Sequence, residues 1–437
     1  MTLADALLRS GDVDAGTPLW FHSARGIVGT TRGELSRRAR SVATALRARD
    51  IGAGDVVAVQ LPNCVEAAVA YEAVLLAGAT LLPIAHIYGA REVEFIARES
   101  GAKMLIQPER WRSIDYSERL PVLLDLGVEV VVVHGMATGA TPWTDFERGS
   151  PDEYETLTAS TTAVLCYTSG TTSAPKGVQH SADGLVAETM GQSRLTGTAP
   201  DTVTLVAFPF GHMAGLVSIL RPLIAGNPTV VMDGWDPAVA LDLITAYSVT
   251  MTAGAPLHLA TLCDALEAGA DLGSLREYLV GGATVPADLI ARADRLGICA
   301  YRCYGSTEHP TVSCGTVADP LEKRQFTDGR PTPGTEIRIL DENHVDTPIG
   351  VDGEVVCRGP ETFLGYRDAE LDADTWLPGG WLRTGDIGNL DADGYLTITD
   401  RAKDVIIRGG ETISSREVED VLLTCPRRRR CRRDRST

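Results

Sequence analysis

The 437-residue chain has no C-x-x-C pair, and its nine cysteines stand singly. Neither a zinc knuckle nor a thioredoxin-like site fits that pattern, and nine scattered cysteines match no disulfide framework, so the thiols read as reduced and cytosolic. No apolar run reaches the ~18 residues needed to span a bilayer. The amino terminus, MTLADALLRSGD, lacks the basic-then-apolar order of a secretory signal. The expected location is therefore the cytoplasm, with a peripheral membrane contact left open. Positive charge is also short. The formal net charge is −18, which argues against a nucleic-acid partner, because phosphate backbones demand a basic surface. Residues 425–437 carry seven arginines against one aspartate, +6, which leaves −24 on the rest. Internal repeats and low-complexity linkers are absent before that tail.

What remains is an ordinary globular composition, 44% hydrophobic, long enough for two or three domains. Short apolar runs at 56–61, 79–84, 104–107 and 129–134 alternate with helix-period segments at 64–76 and 91–100. Further strands are expected at 163–167, 229–232, 249–253, 278–280 and 300–304. This alternation predicts α/β architecture with parallel sheets flanked by helices. From about 329 the pattern changes to short strands at 336–340, 353–357 and 394–399, separated by turn-rich segments. A small, mostly antiparallel β unit is expected there. Ligands of open α/β sheets collect beyond the carboxyl ends of the strands, so the turns after them are the places to inspect.

The strand at 163–167 runs into TSGTTSAPKG, residues 168–177. Its hydroxyls, flexible backbone and Lys176 make a suitable anion cradle, although no G-x-x-x-x-G-K-[ST] passes through that lysine. Alone, such a segment is more often just a surface loop. Gly281, Gly282 and Ala283 follow the next candidate strand, where missing side chains admit a flat ligand or serve a tight turn. Then come Tyr304, Gly305, Ser306, Thr307, Glu308 and His309. Tyr304 offers a ring to a purine, and Thr307 and Glu308 offer hard oxygens to Mg²⁺. Asp386 in TGD offers a carboxylate to ribose hydroxyls, with the cations Arg401 and Lys403 beyond it. Each charge taken singly is also an ordinary solvated surface group.

Together and in this order, TSGTTSAPKG, YGSTE, TGD and DRAKDVIIRGGE resemble the adenylate-forming (AMP-binding) superfamily, in its fatty acyl-CoA synthetase-like branch. The resemblance covers the chain to about Thr424. It implies ATP-dependent activation of a carboxylic acid to acyl-AMP, then transfer to coenzyme A, with Mg²⁺ required. By the same resemblance Thr168, Ser169, Gly170, Thr171, Thr172 and Lys176 hold the β/γ-phosphates, and Gly281, Gly282, Ala283, Tyr304 and Gly305 surround the nucleotide. Thr307 contacts the α-phosphate, Glu308 and Thr168 serve the metal, Asp386 and Arg401 bind ribose, and Lys403 is the hinge of a rotating C-terminal domain. Thr307, Glu308, Lys176 and His212 are the expected catalytic group. His212, Met213, Gly215, Gly281 and His309 are the expected substrate pocket, with His212 as a gate or contact. A satisfied histidine at a helix start remains an alternative for His212. No side chain in these segments suits the amino group of an amino acid, and the GGETISSREVED segment favours fatty or related apolar acids. Ser173 departs from the family's usual glycine, a change that bears on phosphate affinity if a positive φ is needed there.

The resemblance implies an N-terminal AMP-binding domain over 1–399, with the β-rich unit at 329–399, and the start of a small α+β C-terminal domain over 400–424. The family pattern then gives way to CPRRRRCRRDRST, without the lysine that ends the family's C-terminal domain. A basic tail, a purposeful truncation and a shifted reading frame compete as explanations, and composition favours the last. Impaired activity is the corresponding expectation, with a disabled nucleotide-binding remnant as the alternative. Oligomeric state is not set by the sequence.

Overall fold

The computed structural model describes residues 2–148, 162–168, 175–195 and 202–401, with the backbone of two further short strands, Ile406–Arg408 and Glu411–Ile413. Lys403 and the arginine-rich tail lie outside the described residues.

Two large sheets carry the α/β body. In the first, Val56–Val59, Thr80–Pro83, Met104–Pro108 and Glu129–Val133 pair in parallel. Thr162–Tyr167 joins beside Thr80–Pro83 and returns through Gly177–Ser181 as an antiparallel neighbour. In the second, Thr204–Val206, Thr229–Met232, Met251–Gly254, Glu277–Val280 and Cys299–Tyr304 are parallel. Their sequences are near-continuous β-branched and apolar runs because helices cover both faces.

Alternation along one strand sorts its residues between two cores. Val57 and Val59 join a cluster that also contains Leu19, Phe21, Val206 and Val231 of the second sheet. Val56 and Ala58 face a separate cluster on the outer side, with Val93 and Ile96. The shared cluster includes residues of Leu3–Val13, Arg32–Arg47, Val65–Ala77 and Met213–Ala225, so these helices lie between the sheets. One buried ion pair ties them together. Arg32 donates to both Glu72 oxygens at 2.9 and 3.0 Å, and to the carbonyls of Leu7 and Leu223. The last of these fixes the helix that walls the site.

A third sheet is antiparallel throughout and joins Glu336–Leu340, Gly353–Arg358, Trp376–Leu377, Trp381–Leu390 and Leu396–Arg401. Two expected strands begin later than patterning suggests. Asp391 accepts from the amides of Asp393 and Tyr395, holding a turn that Gly394 completes at φ +80, so the strand starts at Leu396 rather than at 394. Ser248, at φ 53, closes the helix Pro237–Tyr247, and the amide of Val249 reaches back to Ile244, which delays that strand to Met251. Among the described residues, no helix is long and apolar enough to cross a membrane.

Candidate active site

The candidate site lies at the carboxyl ends of the strands of both large sheets. In the first, Thr168 and Lys176 meet across the hairpin. The Thr168 amide donates to the Lys176 carbonyl at 3.0 Å, and the Lys176 amide faces Thr168 Oγ1 at 3.4 Å. The phosphate-loop residues Ser169, Gly170, Thr171 and Thr172, with Ser173, lie outside the described residues. Tyr366, in the short strand Gly365–Tyr366, pairs with the returning strand opposite Val178. Its ring lies 5.0 Å from the Lys176 ammonium, and its hydroxyl donates to Glu308 Oε1 at 2.7 Å.

The second sheet delivers Tyr304 through Glu308. The Tyr304 hydroxyl donates to Asp386 Oδ2 at 2.5 Å, while Arg401 Nε stands 3.3 Å from Asp386 Oδ1. The residues assigned to base and ribose thus form one cluster, linking Cys299–Tyr304 to the hairpin of Trp381–Leu390 and Leu396–Arg401. Burial raises the Asp386 carboxyl above its ordinary value, against the opposing pull of the Tyr304 hydroxyl and Arg401. Burial and the Asp386 charge raise the Tyr304 phenol, so it remains a donor.

The backbone beneath Thr307 is held from behind. His180 is 1% exposed and donates to the Thr307 carbonyl at 2.7 Å. Burial lowers its pKa to about 4, which keeps the ring neutral near neutral pH. Glu188 and Glu361, each 1% exposed, form a coupled acid pair nearby. Desolvation first, then the Glu188 charge, pushes Glu361 up to about 10. Glu188 Oε1 accepts from Thr311 Oγ1, but neither acid's Oε2 has a donor among the described residues. One shared proton answers that deficit, because two neighbouring buried carboxylates cannot both stay ionised.

A cavity of about 330 Å³ opens beside Gly305 and Thr307, with Gly281, Gly282, His212 and Met213 in its wall. Gly282 adopts φ +77, a conformation side chains disfavour. His212 is the N-cap of Met213–Ala225 but makes no side-chain cap bond. It lines the cavity as a ring with its pKa lowered by burial, edge-on to Tyr88 at 6.1 Å. Asn63 holds the preceding segment, donating to the carbonyls of Phe208 and Met232 and accepting from the amide of Phe210.

Two residues expected in the pocket do not line it. A Cβ on Gly215 would collide with the Pro209 carbonyl, so this glycine packs the helix against its own entry segment. His309 is fully buried behind the site, between Thr362 Oγ1 at 3.0 Å and Thr335 Oγ1 at 3.3 Å. A histidine beside a chemical motif looks like a contact, but this one lies in the loop after Cys299–Tyr304 and is held inward between the hydroxyls of Thr335 and Thr362. Ala283 is exposed and outside the cavity wall. Conversely, sequence reasoning passed over Tyr366, His180 and Asn63. A lone tyrosine, histidine or asparagine carries no local signal, since their roles arise only from contacts across sheets.

The chain is similar to several known proteins. The family described as AMP-binding enzyme matches residues 21–367. A medium-chain fatty-acid–CoA ligase of Escherichia coli K12 is 34% identical over 409 residues, covering 91% of this chain and 72% of the relative. A feruloyl-CoA synthase of an Amycolatopsis species is 32% identical over 399 residues, covering 91% and 78%. The solved O-succinylbenzoate coenzyme A synthetase of Bacillus subtilis, in complex with ATP and magnesium ion, superposes with a TM-score of 0.83. It is 27% identical, covering 96% of this chain and 84% of that one.

Proposed function

The chain belongs to the AMP-binding enzyme family, and from that premise we propose that it activates a carboxylic acid with a largely apolar body as its acyl-adenylate and transfers the acyl group to coenzyme A. In the first step a carboxylate oxygen bonds to the α-phosphorus of ATP, and the bond to the pyrophosphate leaving group breaks. In the second, the CoA thiolate attacks the acyl carbon, giving the thioester and AMP.

The observation that carries this reading is the joining of Lys176 and Glu308 through Tyr366, with Glu308 next in the chain to Thr307, which lines a mainly apolar cavity. Lys176 and the threonine hydroxyls of 168 and 307 suit phosphoryl oxygens, and Asp386 suits ribose. Glu308, with one oxygen fixed by Tyr366, offers the hard carboxylate that Mg²⁺ accepts, with Thr168 Oγ1 as a second oxygen. Bound there, the metal neutralises charge on the phosphates. The protein's own work is positioning. His180 fixes the Thr307 carbonyl, Tyr366 orients Glu308, and the cavity excludes water from the acyl end. His212, neutral at the cavity wall, contacts the acid rather than taking a proton. The relatives of this chain include fatty, feruloyl and succinylbenzoyl ligases, so they support the reaction class rather than one acid.

The test is product analysis by mass spectrometry after incubation with ATP, Mg²⁺, CoA and a panel of carboxylic acids. Acyl-AMP and acyl-CoA are the expected products. Bound but unchanged ATP across the whole panel would instead indicate a nucleotide-binding remnant.

A further inference from the structure

The cavity has two unlike ends. Gly281, Gly305 and Thr307 stand at the end where the parallel strands finish. Thr204 and Thr229 open their strands at the other end, paired in register, with Asn227 just before them. The helix Met213–Ala225 runs along the wall between these ends, presenting Met213, then Val217, then Arg221. Arg221 stands eight residues beyond Met213, about 12 Å along a helix axis. The middle of the tunnel is apolar, made by Val206, Val217, Ala253 and Leu279, with Met251 level with Thr204 at the far end.

A guanidinium at the end of an apolar tunnel is costly unless partnered. Within this protein Arg32 shows what a structural buried arginine looks like, with both Glu72 oxygens, two carbonyls and Ser10 as acceptors. Arg221 has nothing comparable among the described residues. Its Nε has no acceptor, its Nη2 reaches Gln192 Oε1 only at 3.5 Å, and no carboxylate lies within ion-pair distance. Glu188, the acid whose charge acts on it, is engaged by Thr311 and by the coupled Glu361. Asn227 Oδ1 is also without a partner among the described residues. These unmet polar atoms lie where the tail of a bound acid would end.

We propose that Arg221 is a specificity residue: it receives a second anionic group, a carboxylate or equivalent oxyanion, at the distal end of the acid whose first carboxylate is activated beside Thr307. The planar fork of arginine suits such a group bidentately, and closing that contact supplies the acceptors the guanidinium lacks. The inference deepens the proposed function and rests on its assignment of the cavity to the acid.

Two non-hydrolysable acyl-sulfamoyl-adenosine analogues of equal length, about 12 Å in the acyl chain, separate the possibilities. One ends in a methyl group and the other in a carboxylate, and calorimetric titration measures both. The carboxylate-ended analogue is expected to bind the protein about tenfold tighter or more, the scale of a charged hydrogen bond. Arg221→Met should reverse the order, and Arg221→Lys should retain part of the preference. Equal binding, or tighter binding of the methyl-ended analogue, overturns the inference while leaving the adenylation reading intact. If neither analogue nor AMP binds, the adenylation reading itself fails and the inference falls with it. The wild-type comparison decides the matter even if a variant folds poorly.

Discussion

The Tyr366 hydroxyl donates to Glu308 Oε1 at 2.7 Å while the same ring lies 5.0 Å from the Lys176 ammonium. Lys176 precedes a strand of the first sheet and Glu308 follows a strand of the second, so one tyrosine joins a cation and a carboxylate from two separate layers. That junction is where phosphate and metal would have to meet.

Removing only the hydroxyl tests it. Tyr366→Phe should weaken Mg²⁺-ATP binding about ten- to a hundredfold, the net worth of a hydrogen bond to a charged group. The ring and its packing against Phe363 persist, so the melting temperature should barely move. Calorimetric titration reads the affinity, and an unchanged value would remove Tyr366 from the site.

Asp386 and Lys176 are assigned to opposite ends of the nucleotide, so their variants should separate. Asp386→Ala should weaken AMP binding by about tenfold or more and leave pyrophosphate binding unaltered. Lys176→Ala should do the reverse. Equal losses for both ligands in both variants would contradict the assignment.

Stability rests heavily on the Arg32–Glu72 pair, since both side chains are fully buried. Glu72→Ala should cost about 3–5 kcal/mol because it leaves a buried cation unpaired. The double variant Arg32→Met with Glu72→Leu should recover much of that loss. Urea midpoints at constant slope provide the measurement, and a single variant within about 1 kcal/mol of wild type would show that water reaches the pair.

The coupled acids give a pH signature. Burial and Glu188 push Glu361 up to about 10, whereas an unfolded glutamate titrates near ~4.3. Between those values the native state keeps a proton that the unfolded chain has released. Its contribution is full below ~4.3 and is lost as pH rises toward about 10. Glu361→Gln cannot titrate, so its unfolding midpoint should fall less steeply than wild type from about pH 6 to 9. Parallel curves would exclude the shared proton. His180 and His309, both lowered to about 4 by burial, act oppositely. Their contribution is present above ~6.5 and is lost as pH falls toward about 4.

The sequence foretold much of this arrangement because the chemistry is carried by contiguous segments. YGSTE and TGD each keep their residues within one turn, so Tyr304 and Asp386 could be named together before any contact between them was visible. The parallel strands were legible for a similar reason, since burial on both faces enforces unbroken β-branched runs such as VVAV and TVVM. What escaped notice depends on neighbours distant in sequence. Tyr366 lies 58 residues from Glu308, and Asn63 lies 147 from Phe210. Gly215 and His309 were misassigned because proximity to a motif does not say which way a residue faces. One is consumed by close backbone packing and the other by buried hydrogen bonds to Thr335 and Thr362.

Carboxylate-dependent exchange of labelled pyrophosphate into ATP tests the central claim most directly, because it requires the first bond-forming step and its reversal. Exchange is expected to need both Mg²⁺ and an acid and to collapse in Glu308→Gln. Nucleotide binding with no acid-dependent exchange, across acids of varied length and with one or two carboxylates, would contradict it.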